Sequence, residues 1–317
     1  MVRYLVTGAS GFVGSNLIRK LIDDNNELTI LIRDNSDLWR INDLLPKIQT
    51  IKTDFSNYEK LEKLISDVDP NFVYHLGTYG GYPFQTSIEK IAQVNIINTI
   101  KLFKSLSKCN SLELVINFGS SSEYGPKSNP MNENDEAIPI TPYGISKLTQ
   151  TKFAKFYSEN TNLPIVTLRL FSVFGPFEEP GRLIFDIITS IIKRKTIELS
   201  SPFPRRDFVY VTDVIEAIET ITNAKNIVGD IFNIGSGVMH SVEDVVNNAL
   251  KIAKSDNKIS WDVKQKRVFD DMIPWVSDTQ KTKKILKWEP KYSLADGLAL
   301  TYKWYLNNQK IWDKDDV

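Results

Sequence analysis

Tyr143-Gly144-Ile145-Ser146-Lys147 sets a phenol one helical turn ahead of a primary amine. Residues four apart share a helix face, so an ammonium at Lys147 would favour phenolate over phenol at Tyr143. Bringing a tyrosine from about 10 to about 7 takes roughly 4 kcal/mol of differential interaction. Two positive charges in a water-poor site could supply that, and the phenol could then exchange a proton with a substrate oxygen. A solvated helix face carrying a Tyr and a Lys shows the same spacing, so context decides. Upstream, Val115-Ile116-Asn117-Phe118 reads as a strand delivering Gly119-Ser120-Ser121-Ser122-Glu123-Tyr124-Gly125. Strand C-termini are where an open parallel sheet builds its site. The Ser120 hydroxyl there could bond the same oxygen as Tyr143, although the segment alone is equally a serine-rich turn.

A second group of residues suits an anion. Thr7-Gly8-Ala9-Ser10-Gly11-Phe12-Val13-Gly14 follows an apolar run and opens a helical pattern, its glycines spaced GxxGxxG. Gly8 can make the tight turn, Gly11 admits a pyrophosphate close to backbone, and Gly14 permits close helix–sheet packing. The helix N-terminus adds N–H groups and positive dipole. A strand before and a helix after are the context that separates a dinucleotide loop from an ordinary turn. An acidic residue at the end of the second strand usually binds the adenosine ribose. Here Ile32 stands at that place, followed by Arg33 and Asp34. The Arg tilts the expectation from NAD toward NADP, with Asp34 reaching the ribose as the rival reading.

The elements needed to position these groups are legible. Apolar runs predict strands over 3–7, 28–32, 48–52, 72–76, 114–118 and 165–170. Helical spacing covers 13–22, 58–65, 88–106 and 141–157. Such alternation predicts an α/β fold, a Rossmann-like doubly wound parallel sheet, and unbroken apolar strands fit a sheet covered on both faces. Beyond Gly175 the pattern loosens into helices over 184–192, 212–222, 242–253 and 294–305, with strands over 209–211 and 231–234. The expected organisation is a dinucleotide domain over 1–174, with 205–234 able to rejoin it, and a smaller α/β substrate lobe over 175–317.

Composition excludes several classes. The 317 residues carry 39 Lys+Arg and 39 Asp+Glu, not the basic footprint of a nucleic-acid binder. One cysteine, Cys109, precludes a disulfide within the chain and suits a reducing compartment, hence a cytoplasmic location. No apolar run approaches the ~20 residues of a membrane helix, and the opening residues do not read as a signal peptide. Two histidines, His75 and His240, without a cysteine cluster argue against a metal site.

Together these residues resemble the extended short-chain dehydrogenase/reductase family, the nucleotide-sugar epimerases, dehydratases and reductases, over nearly the whole chain. TGASGFVG resembles its TGxxGxxG. Asp54-Phe55 resembles the pair that meets adenine, and Asp69 through Gly77 its PDxVxHLAA. Asn95 is similar to the Asn of VNxxGT, and PYGISK contains the matching Tyr and Lys. Counting back four from Tyr124 places the catalytic Ser/Thr at Ser120. The resemblance implies catalysis by Ser120, Tyr143 and Lys147. It implies NAD or NADP held by Gly8, Ser10, Gly11, Phe12, Val13, Gly14, Arg33, Asp54, Phe55, Leu76, Gly77, Thr78, Asn95, Phe118, Tyr143, Lys147, Phe171 and Val173. A nucleoside-diphosphate sugar is implied at Tyr79, Ser121, Ser122, Ser172, Arg182, Leu183, Arg206 and Asp271. Arg206 opens a segment similar to RDFVYVxDV and would grip the diphosphate. Asp271 would hold the ribose, and Ser172 stands where RxFNxYGP has its Asn. Trp288-Glu289-Pro290 resembles the closing GWxP, with packing the preferred reading. A homodimer through the helices over 88–106 and 141–157 is also implied.

Dehydratases of this family carry Asp-Glu, or at least Glu, just after the catalytic Ser/Thr. Here Ser121 and Ser122 take those places and Glu123 comes one position late, which disfavours elimination. The expectation is hydride transfer at C4 of the sugar by a 4-dehydrogenase or 4-keto reductase, because HLGTYGGYPFQ is similar to the loop of CDP-abequose synthase-type 4-reductases. The alternative is a 4-epimerase. Redox sensors of this fold lack the Tyr or the Lys, and both are present here.

Overall fold

A computed structural model describes residues 1–23, 25–82, 84–264 and 275–313. In chain order the first part runs β1 (Val2–Thr7), α1 (Phe12–Leu21), β2 (Asn26–Ile32), β3 (Gln49–Lys52), α2 (Tyr58–Val68), β4 (Phe72–His75), α3 (Ile88–Ala92), α4 (Asn98–Leu106), β5 (Leu114–Ser120), α5 (Pro142–Thr161) and β6 (Ile165–Leu170). There follow β7 (Ser172–Phe174), α6 (Leu183–Ile192), β8 (Ile197–Glu198), β9 (Arg205–Tyr210), α7 (Val211–Thr222), β10 (Ile231–Ile234), β11 (Met239–Ser241), α8 (Val242–Ala253), β12 (Ile259–Ser260), α9 (Gln280–Leu286), α10 (Leu294–Asn307) and α11 (Gln309–Trp312).

Seven strands form one parallel sheet in the order β10-β6-β5-β4-β1-β2-β3. Strand order reverses at β1, which pairs with β2 on one side and β4 on the other. Ligands of open α/β sheets bind at such a switch, beyond the carboxyl ends of the strands. The loops after β1, β4 and β5 therefore matter most.

One face of the sheet explains why the apolar runs form it. Leu5, Val73, Val115 and Ile165 lie side by side through the registers of β1, β4, β5 and β6. They share a buried cluster with Leu61 and Ile65 of α2, Leu102, Phe103 and Leu106 of α4, and Ala154 of α5. α2 and α4 present these residues three or four apart, an apolar stripe. Local chemistry sets the helix starts. Asn57 accepts the Lys60 N–H at the head of α2, and Thr141 accepts the Gly144 N–H at the head of α5, where Pro142 takes the first helical position.

The chain forms two compact units. The first comprises 1–125, 133–170 and 218–233; the second comprises 126–132, 171–217 and 234–317. β10, within the 205–234 segment expected to be able to rejoin the first domain, lies at the edge of the main sheet beside β6. In the second unit β7 pairs parallel with β9, and β11 antiparallel with β9. Asp207 of β9 is fully buried and accepts from Ser236 N and Oγ, Gly237 N, and Ser277 N and Oγ. An aromatic group of Phe185, Tyr305 and Trp312 joins α6, α10 and α11. Among the described residues no helix is long and apolar enough to cross a membrane.

One predicted element is modified. The helix over 88–106 is interrupted by a π-turn at Gln93–Ile97. Hydrophobic period does not reveal a single wide turn, and such turns concentrate at functional sites. A second local feature invites a test. A Cβ on Gly14 would lie 2.2 Å from the Gly8 carbonyl oxygen, a backbone atom that cannot swing aside. Gly14→Ala is expected to lower unfolding free energy by about 3 kcal/mol, read as a lower urea midpoint at unchanged slope.

Candidate active site

The glycine loop joins β1 to α1. Gly8 has φ +73°, and a Cβ there would meet Gly77 N and Leu76 C at 2.7 Å. The loops after β1 and β4 thus touch through backbone. Gly11 is the N-cap of α1 and supplies no side-chain bond to the helix N–H groups, which suits an anion. Ser10 lies in this loop, and Phe12, Val13 and Gly14 form the first turn of α1. Arg33 and Asp34 are exposed just after β2, and the Asp34 carboxylate lies 3.9 Å from Lys52 Nζ. Asp54 is exposed, and its carboxyl is held below the usual range by bonds from Ser56 Oγ and N. Phe55, at φ +60°, packs against the core and has its carbonyl taken by Lys101 Nζ at 2.8 Å.

After β4 come Leu76, Gly77, Thr78 and Tyr79. Asn95, in the π-turn and fully buried, fastens them. Its Oδ1 accepts from Tyr79 N (2.8 Å) and Thr78 Oγ1 (3.1 Å). Its Nδ2 donates to Tyr79 O (2.7 Å) and Ser146 Oγ (2.9 Å), and Ser146 donates on to Tyr143 O. The amide's four bonds tie this loop to α5. Lys90 Nζ stands 4.7 Å from the Tyr79 ring centroid.

Ser120 ends β5. Its Oγ accepts from Ser122 N at 3.1 Å, leaving its own proton to donate. Ser121 and Ser122 form the following 3₁₀ turn with Glu123. Gly144 lets α5 lie against that turn, because a Cβ there would meet Ser122 O at 2.4 Å. Tyr143, in the first turn of α5, is part-exposed, and its ring borders Gly80 and Gly81. Lys147 is 2% exposed. Its Nζ donates to Phe118 O of β5 and, at 2.6 Å, to Gln150 Oε1. Burial pushes the amine down to about 8 against some upward pull from Glu123.

Glu123 does not face outward as a displaced acid. It is wholly buried, with Oε1 accepting Ser120 N (2.8 Å) and Oε2 paired with Arg169 Nε (2.8 Å). Burial raises its carboxyl despite Arg169. The Arg169 guanidinium also lies 4.4 Å from the Tyr124 ring centroid, and the Tyr124 hydroxyl donates to Asn233.

The first unit thus gathers Ser120, Tyr143, Lys147, Asn95, Phe118, the glycine loop and Thr78–Tyr79. Other expected residues belong to the second unit. Phe171 and Val173 are buried, and Ser172 of β7 pairs with Phe208 of β9. Arg206 of β9 stacks over Trp275 at 5.7 Å. Arg182 caps α6, its Nε 3.7 Å from Glu178, and Leu183 opens that helix. Asp271 lies outside the described residues. Among the described residues no cluster suited to a metal ion occurs.

A Rossmann sheet with a glycine-rich first crossover and a Tyr-Lys helix beside a serine turn defines a dinucleotide-dependent enzyme. The chain belongs to the NAD dependent epimerase/dehydratase family, which it matches over residues 4–235, and it is an NAD(P)-binding enzyme of the nucleotide-sugar branch. It is 29% identical over 310 residues to the uncharacterized UDP-glucose epimerase YtcB of Bacillus subtilis, covering 94% of this chain and 96% of that protein. UDP-glucuronic acid 4-epimerase from Bacillus cereus, solved with UDP-glucuronic acid and NAD, superposes with a TM-score of 0.85 at 28% identity, covering 96% and 98%. UDP-glucose 4-epimerase from Thermotoga maritima, solved with UDP-glucose, superposes with a TM-score of 0.86 at 25% identity, covering 97% and 100%.

Sequence reasoning missed the residues that fasten the others: Asn117, Gln150, Thr167, and the pairing of His75. Thr99 Oγ1 donates to Asn95 O, so it must accept from His75 Nε2–H at 2.8 Å. Nδ1 then accepts from Thr7 Oγ1 at 2.7 Å, and that oxygen accepts Gly77 N. The ring is neutral and buried, pushed down to about 3. In the unfolded chain His75 binds a proton below about 6.5, so this depressed group costs stability as pH falls from about 6.5 towards 3. Between pH 7 and pH 5 His75 is expected to remove about 2 kcal/mol of unfolding free energy. Urea titrations of wild type and His75→Gln at both pH values should differ in pH dependence by that amount.

Proposed function

We propose that this protein is a nucleotide-sugar 4-epimerase that oxidises and re-reduces C4 of the sugar with a retained NAD. The observation that carries the reading is the buried Lys147 amine one helical turn beyond Tyr143, held by neutral acceptors only. A positive group so placed favours the Tyr143 phenolate, and Tyr143 would take the C4 hydroxyl proton and later return it. Ser120, with its proton left to donate, would bond the same oxygen and hold it against Tyr143. Bound NAD would supply the acceptor and donor of the C4 hydride.

The residues present fit that group. Gly8 and Gly14 leave the loop no room for side chains, and the head of α1 offers N–H groups to a pyrophosphate. Ser10, Gly11, Phe12 and Val13 would complete this cradle, Asp54 and Phe55 would meet the adenine, and Leu76, Gly77, Thr78, Asn95, Phe118, Phe171 and Val173 would line the remainder. The expected lean to NADP through Arg33 has less support than NAD, the dinucleotide in the Bacillus cereus complex. Tyr79, Ser121 and Ser122 would contact the sugar, and Ser172, Arg182, Leu183, Arg206 and Asp271 the nucleotide.

Relatives favour the epimerase alternative over the one-way 4-dehydrogenase or 4-keto reductase expected from the Tyr79–Tyr82 loop. Elimination has no base in the serine turn, since both Glu123 oxygens are committed.

UDP-glucose and UDP-glucuronate carrying deuterium at C4 test this directly. An epimerase interconverts the C4 epimers, retains the label and builds up no reduced nicotinamide. Accumulation of reduced nicotinamide in step with substrate loss would assign a dehydrogenase instead. Tyr143→Phe is expected to lower kcat about a thousandfold; a variant of unchanged rate would remove Tyr143 from the chemistry.

A further inference from the structure

Beneath Lys147 runs a buried chain of side-chain amides. Lys147 Nζ donates to Gln150 Oε1 at 2.6 Å, Gln150 Nε2 to Asn117 Oδ1 at 2.7 Å, and Asn117 Nδ2 to Thr167 Oγ1 at 3.1 Å. Gln150 and Asn117 are fully buried, and Thr167 is 3% exposed. The chain passes from α5 through β5 to β6. Its direction is dictated at one end. An ammonium only donates, so Gln150 must turn its oxygen to Lys147 and its NH₂ to Asn117, which must in turn point its own NH₂ at Thr167.

We propose that Gln150 is a positioning residue for the reaction: a neutral acceptor, oriented through Asn117 and Thr167, that holds the Lys147 ammonium in place without cancelling its charge. The inference rests on the role given above to Lys147 and Tyr143. A carboxylate at 150 would hold the amine equally well, but it would pair with the charge and weaken its pull on the Tyr143 phenol. An apolar side chain would leave the buried ammonium with Phe118 O as its one remaining acceptor of the two described. The other charged or titratable groups around Lys147 are already engaged. Glu123 from the serine turn is paired with Arg169 of β6. His75 of β4 is held neutral by Thr7 and Thr99. Tyr143 lies one turn back on α5. Glutamine at 150 is therefore the position where acceptor and charge are separable.

The test uses the full-length protein labelled with ¹³C at the lysine ε-carbon, titrated by NMR, alongside the pH profile of turnover. In wild type one lysine is expected to titrate near 8, apart from the rest, and to be assigned by its loss in Lys147→Met. Gln150→Met is expected to lower that midpoint by about one pH unit and Gln150→Glu to raise it by about one. Thr167→Val, isosteric and remote from the amine, should shift it the same way as Gln150→Met by less. The alkaline limb of the rate profile should follow each shift, and Gln150→Glu should also carry the acid limb upward as the phenol becomes less acidic. A purely structural role would lower thermal midpoints and leave every titration in place; unchanged midpoints in whichever of the three variants fold would overturn the proposal. Shifted midpoints in a protein that fails to interconvert the C4 epimers would leave the hold of Gln150 on Lys147 standing and sink the 4-epimerase reading instead.

Discussion

A primary amine taken out of water is the interaction on which the rest of this site depends. Lys147 is almost wholly buried, and desolvation of a charge is costly unless acceptors replace the lost water. Two do: the carbonyl at Phe118 and the amide at Gln150. Burial pushes the amine down only to about 8, so the charged form still predominates at pH 7. Both acceptors are neutral, so the charge is stabilised but not neutralised. A buried carboxylate nearby, Glu123, is held by Arg169. β5 supplies the Phe118 carbonyl, Asn117 and Ser120 within four residues, so this strand carries most of the demands the amine makes.

A second constraint holds the outer loops to the same helix. Asn95 uses its full hydrogen-bonding capacity on Thr78, Tyr79 and Ser146. The π-turn at Gln93–Ile97 is where this amide sits. From the Asn95 backbone carbonyl a chain of bonds runs through Thr99, His75 and Thr7 to Gly77 N, in the loop that closes over Gly8. Each donor in that chain leaves the next group one choice, so the histidine tautomer follows from the bonds on either side. His75 is thus a structural link between the glycine loop and the π-turn.

Much of this was legible in the residues. Apolar runs located the six leading strands, the GxxGxxG spacing located the first crossover, and Tyr-x-x-x-Lys located the helix now called α5. Those features are local: one strand, one turn, one helix face. What stayed hidden depends on partners far away in the chain. Glu123 looked like an acid displaced by one position, and Arg169, 46 residues later, turns it inward. Nothing in the spacing of Gln150 announces that Asn117 waits beneath it. The assignment of 126–132 to the second unit was equally hidden, since no local pattern announces it.

The inward glutamate also bears on which reaction this fold performs. Elimination across C5 and C6 needs a base able to leave its partners and reach a carbon acid. For Glu123 that would mean abandoning a buried guanidinium, and breaking a buried ion pair from one side costs about 3–5 kcal/mol. It would also release Ser120 N, loosening the hydroxyl proposed above to bond the C4 oxygen. The remaining members of the turn, Ser121 and Ser122, have hydroxyls far too weakly acidic to serve as bases unaided. A carboxylate is present in this turn, yet packing rather than composition engages both of its oxygens. What the turn keeps is a serine with a proton to donate, a device suited to exchanging hydride at a single carbon.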